Sequence, residues 1–521
     1  MGEVRKTKYF GTDGFRGEFG RELTEKHAYI IGRFLAGDGE AAEGLCGGEG
    51  TDSLSNQSLA EGLCGGGRAE GLFNDNRAEG LCGGEATEGL FNGNRAEGLC
   101  GGGRARRQIL IGRDTRISSP MLEAAVAFGI EAAGGKAYLA GVITTPGLAF
   151  AIKHGGFDGG VMITASHNPY GDNGIKLFDP AGRKLANELI FELEKFIDEW
   201  LKNKISPKRY PLCGKDYPEA RVAYTDYLTD KNACSLSGLR IGIDTANGAA
   251  YKIAPEVFRR LGAEVHQIGG EPDGVNINAG LGSTRPEALA NFVLEKGLDF
   301  GFAFDGDGDR CISVNSKGEI IDGDGEMFIL ARAMKARGEL KKNTAVITVM
   351  SNRGFINSLL ALGIGCEIVR VGDRFVAEKM LEGGYTLGGE QSGHIIIGDA
   401  ETGDGIFTAI SLAREIRSAL DSGKCPCLVD GEMLSGLVIY PQLISSVKVV
   451  SKEALMADMG LISLRCEIEA DIGDEGRILI RPSGTESLVR VMVEHKNHNK
   501  CKLYLEKTLD FIENWKIYNE R

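Results

Sequence analysis

From Gln108 onward the chain alternates short, continuous apolar runs with stretches of helical apolar spacing. QILIG (108–112), KAYLAGVI (136–143) and GGVMITA (159–165) are separated by MLEAAVAFGIEAAG (121–134) and LAFAIKHG (148–155). Runs apolar at every position predict strands buried on both faces, the signature of parallel sheet covered by helices. A second series runs from LRIGIDTANG (239–248) through APEVFRRLG (254–262), EVHQIGG (264–270) and a helix framed by Ser283, Pro286 and Gly297 to DFGFAF (299–304). A third contains EMFILARAMKARG (326–338), TAVITVM (344–350), FINSLLALG (355–363), CEIVRVG (366–372) and RFVAEKMLEGG (374–384). The tail differs: GRILI (476–480) and LVRVMVE (488–494) flank a turn, and a closing helix follows near 504–515. The pattern predicts three α/β mixed-sheet domains and a C-terminal α+β domain, with boundaries at 1–212, 213–315, 316–428 and 429–521.

One segment breaks the alternation. Residues 42–104 divide into seven nonapeptides of the AEGLCGGGR type, lodged in the first domain between a helical YIIGRFLA (29–36) and the strand at 108–112. Much of the excess among the 76 glycines lies there. A calcium-binding nonapeptide array needs a recurrent Asp, and only Asp52 and Asp75 occur. So few apolar side chains do not offset the ordering entropy, so a mobile surface loop without a catalytic role is expected. Stretching a turn to this length costs about 2 kcal/mol of closure entropy, which a large core tolerates.

Composition narrows the function. The 60 Lys and Arg against 73 Asp and Glu give a net charge of −13, unfavourable for a nucleic-acid surface or a polybasic membrane anchor. The N-terminus carries no apolar signal core, Lys6 breaks a myristoylation pattern, and no apolar run approaches the length of a membrane span. A cytoplasmic protein is expected. The twelve cysteines include four at an eighteen-residue period (Cys46, Cys64, Cys82, Cys100) and form neither a zinc spacing nor a disulfide framework.

Four loops carry chemistry. In TASHNP (164–169) a hydroxyl, Ser166, stands at the C-terminal end of a buried strand, and the turns through Gly171 and Asn173-Gly174 aim Lys176 back at it. A plain turn with a capping serine reads equally well from this stretch, and a GxSxG hydrolase motif is absent. In DGDGDR (305–310), Asp305, Asp307 and Asp309 alternate with glycines, so three carboxylates can converge on Mg²⁺, whereas without a cation they would repel one another. Arg310 and Ser316 stand where an EF-hand needs Gly and Glu, and an acidic surface turn is the alternative. The neighbouring 322–326 segment, DGDGE, is expected to be a turn. In GGEQSGH (388–394), Glu390, Ser392 and His394 can hydrogen-bond sugar hydroxyls, or form a polar turn with a structural histidine. In RPSGTES (481–487), a guanidinium, hydroxyls and backbone N–H groups suit a phosphate, or simply close a hairpin.

Together, in this order and with GTDGFRG (11–17), these segments resemble the α-D-phosphohexomutase superfamily over the whole chain except the repeat. YFGTDGFRG, TASHNPYGDNGIK, DTANGAAY, GVNINAGLGST, AFDGDGDR, VGDR and GGEQSGH are most similar to its amino-sugar branch. The resemblance implies four domains around a central cleft and interconversion of glucosamine 6-phosphate and glucosamine 1-phosphate, feeding UDP-N-acetylglucosamine synthesis. It implies a phosphoserine at Ser166, one Mg²⁺ on Asp305, Asp307, Asp309 and a phosphoserine oxygen, and Arg16, Lys176, Arg310 and His394 as catalytic groups. Glu390 and Ser392 would grip the sugar, and Arg481, Ser483, Gly484 and Thr485 the phosphate that does not react. Lys176 and His394 are both candidates for the general base. A sugar 1,6-bisphosphate would serve as intermediate and activator, and a homodimer is the candidate assembly. Asp373 stands where phosphomannomutase members carry histidine, which argues against mannose and glucose as substrates. The rival readings are a phosphomannomutase or phosphoglucomutase of the same superfamily and a non-catalytic sugar-phosphate-binding regulator.

Overall fold

The structure, a computed structural model, describes residues 7–11, 13–38, 106–203, 207–231, 234–421, 431–482 and 487–519. The nonapeptide repeat at 42–104 lies outside them. Its two flanks are described, and both are packed. The helix Glu25–Arg33 crosses the helix Ser119–Ala132 so closely that a Cβ on Gly32 would lie 2.2 Å from the Val126 carbonyl oxygen, and one on Gly129 2.1 Å from that of Tyr29. Past the repeat, Arg107 Nη1 donates to the Leu35 carbonyl at 3.0 Å, stitching the two flanks together.

The apolar runs form four sheets of seven, five, four and three strands. In the first, the parallel strands Gly159–Ile163, Gln108–Arg113 and Lys136–Val142 adjoin, and Asp172–Phe178 and Gly14–Glu18 extend the sheet antiparallel on the Gly159–Ile163 side. The short strand Lys215–Asp216 closes its other edge, three residues beyond the expected boundary at 212. The second sheet runs Ile320–Ile321, Cys311–Asn315, Phe300–Phe304, Arg240–Asp244, Glu264–Ile268. The third sets Thr344–Thr348 between Gly365–Val369 and Leu387–Gly389, with Ile395–Ile397 outside, and the fourth is antiparallel, with Leu488–His495 between Gln442–Lys448 and Gly476–Pro482.

One continuous apolar core joins the first three units, from Leu110 and Tyr224 through Phe302 and Phe328 to Ile347 and Ile410. The fourth unit has its own core around Val491, Tyr504 and Ile512, under two helices, Lys452–Met456 and Met459–Ile472, that the strand–helix pattern did not reveal. Polar contacts tie it to the third: Asn352 Nδ2 donates to the Tyr440 carbonyl at 2.9 Å, and Arg477 Nη2 to that of Ser351 at 2.6 Å. The expected turn at 322–326 is instead the start of a helix, Gly323–Ala336. Asp322 caps it, accepting the Gly325 amide at 3.1 Å, so the acidic residues open a helix N-terminus. Among the described residues no helix is long and apolar enough to cross a membrane.

Candidate active site

The loop after Gly159–Ile163 places Ser166 in the left-handed region, at φ 51°, with its side chain buried. Several bonds hold that conformation: the Ser166 amide donates to Thr164 Oγ1 at 2.9 Å, and its carbonyl accepts from Arg116 Nη2 at 3.0 Å and Asn278 Nδ2 at 2.9 Å. Arg116 is itself buried against Asp114, at 2.8 Å. The hydroxyl so aimed donates to Asp305 Oδ2 at 2.6 Å, which joins the first loop to the second.

Asp305, Asp307 and Asp309 are all buried, and each offers an oxygen within 4.8 Å of the others. The loop reaches this convergence because it presses on the serine loop, where a Cβ on Gly306 would lie 2.5 Å from the Ser166 carbonyl oxygen. From the first unit, the Thr145 amide opens a helix onto the Asp307 carbonyl at 2.9 Å. Burial, with the Asp309 and Asp307 charges added, pushes the Asp305 carboxyl well above the usual range. Asp307 Oδ1 and Asp309 Oδ1 are buried without a hydrogen-bond partner. Three converging carboxylates with orphaned oxygens are a donor set suited to a hard divalent cation, consistent with Mg²⁺.

The basic groups surround this cluster. Lys176, on the strand antiparallel to Gly159–Ile163, points Nζ at Asp307 Oδ2 (2.8 Å), Asp309 Oδ2 (2.9 Å) and Asp13 Oδ1 (3.3 Å). Burial alone would lower its ammonium pKa, but Asp13, Asp307 and Asp309 outweigh it and raise that pKa well above the ordinary value. Arg16 pairs with Asp13, and Arg310 Nε stands 3.9 Å from Asp309 Oδ1; both guanidinium Nε atoms are buried without a hydrogen-bond partner. Burial and the charges of Arg310 and Arg16 push His167, 3.3 Å from the Ser166 hydroxyl, down to about 4, so its imidazole is neutral at pH 7.

The third loop joins from the third sheet. Cys311, next to the metal-type loop, donates its amide to the Gly393 carbonyl at 3.0 Å, and Gly405 donates to that of Gly308 at 3.1 Å. Glu390 accepts the Gly372 amide at 3.0 Å. His394 Nε2 accepts the Gly403 amide at 3.2 Å and lies 3.8 Å from Asp373 Oδ2, leaving Nδ1 buried without a partner, as is Ser392 Oγ. Asp373 is in turn bound by Lys184, which also binds Asp13. From the fourth unit, burial and neighbouring Arg490 lower the Arg481 pKa while Glu390 opposes them, which sets Arg481 within the electrostatic reach of Glu390. Ser483, Gly484 and Thr485 lie outside the described residues.

The structure therefore brings Ser166, Lys176, Arg16, Arg310 and the three aspartates together, with Glu390, Ser392 and His394 on the adjoining loop. The sequence reading missed Arg116, Asn278, His167, Asp13 and Lys184 as members of the site. Asp13 and His167 lie inside motifs quoted for their neighbours; Lys184 carries no local signal.

Four family descriptions match the chain in order: phosphoglucomutase/phosphomannomutase alpha/beta/alpha domain I at 89–204, domain II at 222–318, domain III at 322–424 and the C-terminal domain at 446–510. Phosphoglucosamine mutase of Caldicellulosiruptor bescii is 45% identical over 78% of this chain and 90% of its own. That of Geobacillus thermodenitrificans is 42% identical over 97% of this chain and 98% of its own. Among solved structures, a phosphoglucomutase/phosphomannomutase family protein from Burkholderia thailandensis superposes with a TM-score of 0.68, at 21% identity, over 97% of both chains.

Proposed function

The chain belongs to the phosphoglucosamine mutases of the phosphohexomutase superfamily, and from that premise we propose how its residues interconvert glucosamine 6-phosphate and glucosamine 1-phosphate. The enzyme is an isomerase that moves a phosphoryl group within a small sugar phosphate. The observation that carries the mechanism is the 2.6 Å contact of the Ser166 hydroxyl with Asp305, inside the buried carboxylate cluster.

In this reading Ser166 carries the phosphoryl group between turnovers. The sugar's free hydroxyl attacks phosphorus and gives its proton to a base, while the bond from phosphorus to Ser166 Oγ breaks and that oxygen takes up a proton, leaving a sugar bisphosphate and the serine hydroxyl. The bisphosphate turns over in the cleft, its other phosphoryl returns to Ser166, and the sugar oxygen takes back a proton. Phosphoryl transfer asks mainly for alignment and charge neutralisation. The strained Ser166 backbone, fixed by Arg116 and Asn278, supplies the first. Arg16, Lys176 and Arg310 supply the second from within the protein. Asp305, Asp307 and Asp309 would hold Mg²⁺, which when bound neutralises charge on the transferring group. Lys176, held protonated by three carboxylates, is poorly placed to accept a proton. His394 Nε2 accepts the Gly403 amide, so in the neutral ring the unpartnered Nδ1 carries the proton and would donate to a sugar oxygen. Glu390 and Ser392 would orient the ring and Arg481, with Ser483, Gly484 and Thr485, the distal phosphate. A sugar 1,6-bisphosphate would reload the serine, and a cytoplasmic enzyme, with a homodimer as its candidate assembly, fits this chemistry.

Comparing turnover on the 6-phosphates of glucosamine, glucose and mannose tests the substrate. Glucosamine is expected to win, and equal rates on all three would favour the broader phosphomannomutase or phosphoglucomutase reading.

A further inference from the structure

A hollow of about 420 Å³ opens on the second unit, away from the residues of the catalytic cleft. It lies between the helix Glu219–Lys231 and the helix Ile253–Arg260, with the strand Glu264–Ile268 contributing Gln267. Four cations line it: Arg221, Lys252, Arg259 and Arg260. Arg260 is neutralised, by Asp226 at 2.6 Å and by Glu256. Arg221, Lys252 and Arg259 have no carboxylate at ion-pair distance among the described residues; Lys252 instead lies over the Tyr251 ring, 5.2 Å from its centre. In a chain of net charge −13, three cations without an ion-pair partner line one concavity beside Glu256, and an anion entering it would meet their positive charge.

The walls are built rather than loose. Gln267 Nε2 donates to the Tyr251 carbonyl at 2.9 Å and to Thr245 Oγ1 at 3.3 Å, so the amide and the turn that carries Tyr251 are fixed to each other. That turn, Ala249–Tyr251, is anchored at its other end on the metal-type loop: the Ala249 amide donates to the Gly306 carbonyl at 2.8 Å. A ligand pulling on Tyr251 and Lys252 would therefore pull on a segment bonded to the loop of Asp305 and Asp307.

We propose that this hollow is a second anion site, which binds a small metabolite through a multiply charged phosphate or pyrophosphate group and biases the metal-type loop from outside the cleft. Its volume falls within the roughly 300–1,000 Å³ of small-molecule sites. Arginine forks match phosphate oxygens, and an open, screened rim makes the binding salt-dependent. The site does not rest on the catalytic reading above.

Isothermal titration of pyrophosphate into the metal-free full-length chain carrying Arg481→Ser, which weakens the cleft's own phosphate contact, tests it. A saturable event is expected that weakens at least tenfold when Arg221→Ser and Arg259→Ser are added and weakens with added salt. Lys252→Glu alone, checked by thermal unfolding, gives the same readout should the combined variant fold poorly. Binding that stays within twofold after these substitutions, or no saturable binding in the millimolar range, overturns the proposal.

Discussion

Lys176 Nζ stands 2.8 Å from Asp307 Oδ2 with both side chains shut away from water, and the same ammonium reaches Asp309 and Asp13. Removing one partner of a buried ion pair leaves the other charge uncompensated, at a cost of about 3–5 kcal/mol. Lys176→Met should therefore lower the melting temperature markedly, and Mg²⁺ should recover more of the loss than it adds to the unaltered protein. The same change should cut kcat by about 10²–10³, the scale of losing one group that neutralises a developing charge. Differential scanning fluorimetry with and without Mg²⁺, beside steady-state kinetics, reads both effects.

Asp324 makes stability depend on pH. Burial, with Asp322 nearby, pushes its carboxyl up to about 8, although it accepts the Asn352 amide at 2.7 Å. The folded chain then holds a proton that the unfolded chain has lost above its ordinary pKa of 3.8. The stabilisation this proton gives is complete below that value and is lost as pH rises through about 8. Unfolding free energy should fall by on the order of 2 kcal/mol between pH 6 and pH 9, and Asp324→Asn should flatten that slope. Urea unfolding at the two pH values measures it; an unchanged slope in the variant would assign the dependence elsewhere.

Asp373 binds Lys184 of the first domain and lies 3.8 Å from His394 Nε2, so it links the 388–394 loop to that domain. Glucosamine 6-phosphate differs from its glucose counterpart by an amino group that is largely cationic at neutral pH, for which a carboxylate is the natural partner. Asp373→Asn should reduce kcat/KM on glucosamine 6-phosphate by about 10–100-fold while changing that on glucose 6-phosphate little, narrowing the preference. Parallel kinetics on the two substrates decide it, and a preserved preference would place the discrimination on another residue.

The loops of the site were legible because each packs its chemistry into a few consecutive residues at a strand end, where glycine and turn residues announce the bend. The alternating aspartates pointed to a metal from spacing alone, and buried runs such as 159–165 announced parallel sheet. What stayed hidden depends on contacts across the chain. Lys184 acquires its place only when folding brings Asp13 and Asp373 to it, and Arg116 only when the serine loop closes over it. The acidic 322–326 segment looked like a turn because its glycines break helix, yet packing and the Asp322 cap carry a helix through them. The two helices of the fourth unit between 452 and 472 were missed because half of their surface is exposed and their apolar spacing is weak.

The central claim is that Ser166 carries the phosphate that moves. Intact-protein mass spectrometry, with peptide mapping before and after brief exposure to glucosamine 6-phosphate in Mg²⁺, tests it most directly. The account predicts one phosphoryl group on Ser166 that substrate discharges, and none on Ser166→Ala, whose turnover should be lost. A protein that turns over at its normal rate with Ser166 unmodified throughout, or with Ser166 replaced by alanine, would contradict it.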